Sequence, residues 1–253
     1  MKFVVLRKKL LLIISLICLV CVTAFVSVGV VSVSSAKKRL LPIYSVKTDK
    51  KQIAISFDCA WGAEYTETLL SVMAERGVKC TFFTVQFWTE KYSDLIKKIS
   101  LSGHEIGTHS KTHPNMSKLN KNQMVSELTS SKSAIENITN KKVELFRPPF
   151  GDYNDLLIET ATELSLFTIQ WSIDSLDWKN LSANEIVKRV VTKAKNGAIV
   201  LFHNNGLNTA KSLPIILDTL ISQGYKFVPI GELIYKENYL IDNNGVQYAV
   251  KNS

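Results

Sequence analysis

From residue 51 to about residue 232, short β-rich runs alternate with stretches of helical period, and that alternation limits the folds open to this chain. Strand-like runs are expected at 52–57, 80–85, 104–107, 143–146, 166–173, 198–202 and 226–230. Helical patterns fall between them at 64–76, 93–102, 121–139, 154–164, 183–195 and 210–223. In the first of these, Leu69, Leu70 and Met73 share one face and Gly77 closes the pattern. Strict alternation of this kind implies a parallel sheet, open or closed. Closed, it is a (β/α) barrel of about seven units, short of the usual eight.

In parallel α/β folds the reactive side chains sit on loops beyond the C-terminal ends of the strands. The sequence follows that rule. Asp58 follows the first strand, His109 and His113 the third, and Arg147 the fourth. Asp174 and Asp177 follow the fifth, and His203 the sixth. Three of the four histidines therefore fall on these loops, while His104 reads as structural. His109 and His113 are four apart, so on a helical turn they would share a face and could chelate one divalent ion.

The N-terminus imposes a second constraint. Residues 1–9 carry Lys2, Arg7, Lys8 and Lys9, and residues 10–36 carry no charge at all. A run of that length can cross a bilayer, which needs about 20 apolar residues. A cleaved signal peptide has a shorter apolar core, although Ser34, Ser35 and Ala36 would suit a cleavage site. We therefore expect one N-terminal transmembrane helix over 1–36, a polar linker over 37–50, a catalytic domain over 51–232 and a short hairpin-like tail over 233–253. Lys37, Lys38 and Arg39 balance the positive charge on the other side, so charge gives little guidance on orientation. The net charge of +9 suits contact with an anionic surface, yet no recognition helix or basic stripe points to nucleic acid. Cys59 and Cys80 would lie at opposite ends of neighbouring strands, too far apart for a disulfide.

Five ordered motifs carry a family resemblance. They are I-S-F-D-C-A-W-G at 55–62, G-H-E-I-G-T-H-S-K-T-H at 103–113, F-R-P-P-F-G at 146–151, D-S-L-D-W at 174–178 and L-F-H-N at 201–204. Together they resemble the polysaccharide deacetylases that share the NodB homology domain, carbohydrate esterase family 4. With the N-terminal anchor and short tail, the chain is most similar to the sporulation-type, membrane-anchored PdaB-like members.

The resemblance implies a distorted (β/α) barrel and hydrolysis of N-acetyl groups on a cell-wall polysaccharide such as peptidoglycan. It makes Asp58 the general base, Arg147 its ion-pair partner and His203 the general acid. Asp174 would orient His203. His109 and His113 would hold one divalent metal ion, zinc by ligand type, which polarises the carbonyl and acidifies bound water. Phe150 would offer a backbone N–H to the oxyanion, and Trp178 and Leu201 would wall the acetyl pocket. The domain would be a monomer outside the cell, tethered to the membrane by its single span.

One departure matters. The family's first motif ends in two aspartates, the second a metal ligand, and here that position is Cys59. Three readings stay open: Cys59 completes the metal site, Asp58 or water completes a weaker one, or Cys59 is a packed core residue. In the last case the chain would be a catalytically impaired polysaccharide-binding or scaffold protein. A deacylase for small N-acyl compounds is a third possibility, which a closed pocket would favour.

Overall fold

The structure is a computed structural model, and it describes residues 13–17 and 39–250. The anchor expected over 1–36 lies outside the described residues apart from one helical stretch at 13–17. Among the described residues no helix is long and apolar enough to cross a membrane.

The unit from Leu40 onward is built on parallel strands. The strands, in chain order, are β1 (Ser45–Val46), β2 (Gln52–Cys59), β3 (Thr81–Thr84), β4 (Glu105–Thr108), β5 (Leu145–Phe146) and β6 (Phe167–Thr168). They continue with β7 (Ile173–Asp174), β8 (Ile199–His203), β9 (Lys226–Phe227), β10 (Tyr239–Ile241) and β11 (Val246–Ala249). The helices are α1 (Thr66–Glu75), α2 (Gln86–Lys91), α3 (Ser93–Leu101), α4 (Lys121–Thr139), α5 (Asp155–Glu163), α6 (Ala183–Val191), α7 (Thr209–Ser222) and α8 (Ile230–Leu233). Helix starts are where the sequence provides caps: Asn120 with Gln123, and Ser182 with Glu185, form reciprocal capping boxes.

The main sheet runs β6-β5-β4-β3-β2-β8-β7, with β9 also paired to β2. Its two end strands are almost contiguous in sequence, since only residues 169–172 join β6 to β7. So short a tether brings the outer edges to within about 17 Å, which forces the sheet to curl. The result is a half-barrel of seven parallel strands, consistent with a distorted (β/α) barrel. The expected single strand over 166–173 is thus two short ones, because its halves pair with opposite edges of the sheet.

Strand alternation divides the interior in two. Along β2, Ile53, Ile55, Phe57 and Cys59 point outward into the layer covered by α1, α7 and their neighbours. Ala54 joins an inner cluster with Phe83, Leu145 and Ile199. The segment expected as a linker belongs to this inner cluster. Ile43 and Val46 are buried, and the Ile43 N–H donates to the Thr168 carbonyl while Gln170 N–H donates back to Ile43. Residues 40–50 therefore fill the opening between the sheet's ends and are part of the fold. The reason is their own apolar content, Leu40, Leu41, Ile43 and Val46, which the open edge can bury. The tail forms the antiparallel pair β10–β11, and β11 adds alongside β1. Buried Gln247 pins it by exchanging two hydrogen bonds with the Tyr235 backbone, at 2.9 and 2.7 Å.

Cys59 and Cys80 are both free and buried. Beneath β3, the imidazole of His104 accepts the Cys80 N–H at Nδ1, 3.2 Å away, in the structural role expected for it. Burial, with Lys79 nearby, pushes the His104 pKa down to about 4. In the unfolded chain a histidine titrates near 6.5, so the unfolded state binds the extra proton first as pH falls. Stability from this group is complete above about pH 6.5 and is lost as pH falls toward 4. Thermal unfolding should therefore show a melting temperature that declines through this window. His104→Asn, which keeps an acceptor but cannot titrate, should flatten part of that decline.

Candidate active site

Of the residues singled out at the strand ends, Asp58, His109, His113, Asp174 and His203 line one cavity of about 560 Å³, while Arg147 and Asp177 are fully buried. Asp58 and His203 stand opposite each other in register on neighbouring parallel strands β2 and β8. His109 follows β4, and Arg147 follows β5. His113, Phe150, Trp178 and Leu201 also line the cavity.

Asp58 is held by a buried cation. Arg147 Nη1 donates to Asp58 Oδ1 at 2.8 Å, and Arg147 is fully enclosed. Its guanidinium lies 4.2 Å from the Phe83 ring centre, and Nη2 donates to the Gln170 carbonyl at 3.2 Å. Gly107 makes room for that stack, because a Cβ there would come within 2.6 Å of the Phe83 ring. Burial alone would raise the Asp58 pKa, but Arg147, then His109 and His203, hold it below the usual carboxylate value. Asp58 is therefore ionised at neutral pH. Its Oδ2 lies 3.6 Å from His109 Nε2.

His203 is held by Asp177, which corrects the expectation that Asp174 would do so. His203 Nδ1 lies 2.8 Å from Asp177 Oδ1, and the His203 N–H donates to Asp177 Oδ2 at 2.8 Å. Thr209 Oγ1 donates to the same carboxylate at 2.6 Å, and Asp177 is fully buried. Asp174 instead accepts the Leu176 N–H at 2.8 Å, closing a local turn. That turn carries the chain round so that Asp177, three residues on, comes beneath the imidazole. Burial would lower the His203 pKa, but its hydrogen bond and charge contact with Asp177 outweigh this and raise it. Asp174 remains a cavity wall and a minor contributor to that field.

The two other histidines are prepared as neutral donors. The His109 Nδ1 faces the Arg147 carbonyl at 2.7 Å. A carbonyl only accepts, so Nδ1 carries the proton and Nε2 keeps its lone pair. Burial lowers the His109 pKa. Burial, with His109 adjacent, pushes His113 down to about 4. Their rings meet edge to face with centres 4.9 Å apart.

Cys59 does not join them. It follows Asp58 directly in β2, so its side chain takes the opposite face. The thiol is fully buried in the outer core, 3.8 Å from the Phe57 carbonyl, and burial raises its pKa well above the usual thiol value. It stays protonated, and metal binding needs the thiolate. Among the described residues no three His, Cys, Asp or Glu side chains are arranged to hold one ion. The metal donors thus stop at two imidazoles, short of the three protein ligands of a catalytic zinc site.

Sequence reasoning missed Trp61, Trp171 and Asn205 as cavity residues. Trp61 lies two residues past Cys59 in the first motif, and Asn205 two past His203, so proximity to the strand ends was the available signal.

Comparison with known proteins settles the family. The family described as polysaccharide deacetylase matches residues 45–169. A Bacillus cereus peptidoglycan-N-acetylglucosamine deacetylase is 35% identical over 196 residues, covering 76% of this chain and 92% of that protein. The chain belongs to the polysaccharide deacetylase family. Family members are generally metal-dependent. The Listeria monocytogenes peptidoglycan-N-acetylglucosamine deacetylase PgdA is 36% identical over 225 residues, covering 86% of this chain and 47% of PgdA. The chain thus spans about half the length of that relative. Among solved structures, a family 4 pseudoenzyme from Bacillus anthracis has a TM-score of 0.74 at 35% identity, covering 76% of this chain and 68% of that one. A mutant of that pseudoenzyme is described as having restored enzymatic activity.

Two outcomes follow from this geometry. Asp177→Asn should lower the His203 pKa, read by NMR titration of the histidine, whereas Asp174→Asn should move it far less. Cys59→Ala should leave zinc affinity unchanged by calorimetry; a tenfold loss would show the thiol reaching the ion.

Proposed function

We propose that this chain hydrolyses N-acetyl groups on a cell-wall polysaccharide, peptidoglycan or a related polymer of N-acetylated sugars. The observation that carries the reading is a base and an acid in register on adjacent strands, each fixed by its own buried partner. The relatives named as peptidoglycan deacetylases support the substrate class.

The proton transfers can be assigned to this chain's own residues. Asp58 is ionised and accepts a proton from the attacking water as its oxygen adds to the acetamide carbonyl carbon. His203, whose pKa Asp177 raises, donates to the amide nitrogen as the C–N bond breaks. Acetate and a free amine leave. Trp178 and Leu201 line the cavity where the acetyl methyl would sit, and Phe150 would present its N–H to the oxyanion. His109 and His113 would offer two imidazoles to a divalent ion, and among the described residues no third protein donor stands with them.

The setting belongs to the same proposal. The uncharged run at 10–36 supports a single membrane span, with a monomeric domain on the outer face where the wall polymer lies. The likeness to PdaB-like members supports a role in sporulation.

A second reading is favoured by one observation. With Cys59 turned into the core, the chain is a wall-binding protein that keeps the groove but has lost turnover, as the pseudoenzyme relative suggests. Acetate release from N-acetylglucosamine oligomers and peptidoglycan, measured on the full chain with zinc or cobalt added, separates the two. Release that Asp58→Asn lowers by about 10²-fold or more supports the deacetylase. No release with any divalent ion, with binding of the oligomers retained, supports the binding protein.

A further inference from the structure

Three large aromatic side chains stand exposed around the mouth of the cavity: Trp61 at 58%, Phe150 at 66% and Trp178 at 54%. Trp61 has no role in the proton transfers. It sits on the turn that leaves β2, and the carbonyl of the next residue, Gly62, accepts two hydrogen bonds from buried donors. These are Trp88 Nε1 at 2.6 Å and Asn204 Nδ2 at 2.9 Å. Gly62 itself takes φ +64°, which lets the turn close. The indole meets the His113 ring edge to face at 4.9 Å, and Phe150 meets the same imidazole at 4.5 Å. Both His113 and Phe150 hold positive φ, 61° and 60°, a strained conformation for residues with side chains. Strain and buried donors are thus used to display apolar rings to solvent, where burial energy would draw them inward.

We propose that Trp61, with Phe150, forms a stacking subsite for a pyranose unit of the polysaccharide, beyond the unit whose acetyl group enters the cavity. A pyranose offers an apolar C–H face and a polar rim. The aromatic edge fits the first, and Asp174 and Asn205 within the same cavity fit the second. The subsite rests on the polysaccharide reading above, but it needs neither metal nor turnover.

The test is calorimetric binding of a chito-tetraose, fully N-acetylated, to the full chain in mild detergent and EDTA. Trp61→Ala should weaken binding about fivefold to tenfold, within the range measured for aromatic contacts, and Trp61→Phe should recover part of it. Single N-acetylglucosamine should bind both forms alike. Trp61 is exposed, so an unchanged melting temperature confirms that the fold is intact. Equal tetramer affinity in parent and Trp61→Ala overturns the subsite alone. A parent chain that binds no oligomer overturns the polysaccharide reading and the subsite with it.

Discussion

The buried ion pair between Asp58 and Arg147 is the constraint around which the site is arranged. Two charges removed from water cost several kcal/mol each unless they are paired and hydrogen-bonded, and breaking such a pair from one side costs about 3–5 kcal/mol. The fold meets that cost with the Phe83 face and the Gln170 carbonyl on the cation. The Arg147 backbone carbonyl also orients His109. One residue at the end of β5 thereby fixes the base, one imidazole and the break between β6 and β7. The glycine of the second motif, Gly107, is part of the same arrangement because it admits the Phe83 ring.

The site is complete in one half and reduced in the other. Asp58 and His203 keep their buried partners, and their pKa values move apart, the carboxylate down and the imidazole up. His109 and His113 stand as two imidazoles with lowered pKa values, while Cys59 is buried in the core. At position 59 a small thiol packs in the apolar layer.

Much of the architecture was legible. The strand–helix alternation gave the parallel barrel, and the rule that reactive groups follow strand ends found Asp58, His109, His113, Arg147 and His203. The side-chain direction of Cys59 was also available, since adjacent residues in a strand face opposite ways. The choice between Asp174 and Asp177 was not. Both lie on the same loop in the same motif, and spacing does not say which carboxylate the chain's turn will carry to the imidazole. The linker was misjudged because its few apolar residues carry no period. Their burial depends on an open sheet edge that exists only after the barrel has curled.

The sequence by itself determined the fold class and the chemistry-bearing residues, because local periodicity sets the strands and parallel topology sets which ends are reactive. Only the tertiary structure decided which aspartate holds His203 and that residues 40–50 close the barrel. Those outcomes depend on contacts between segments far apart in the chain, and no local pattern specifies which distant partner a side chain will meet.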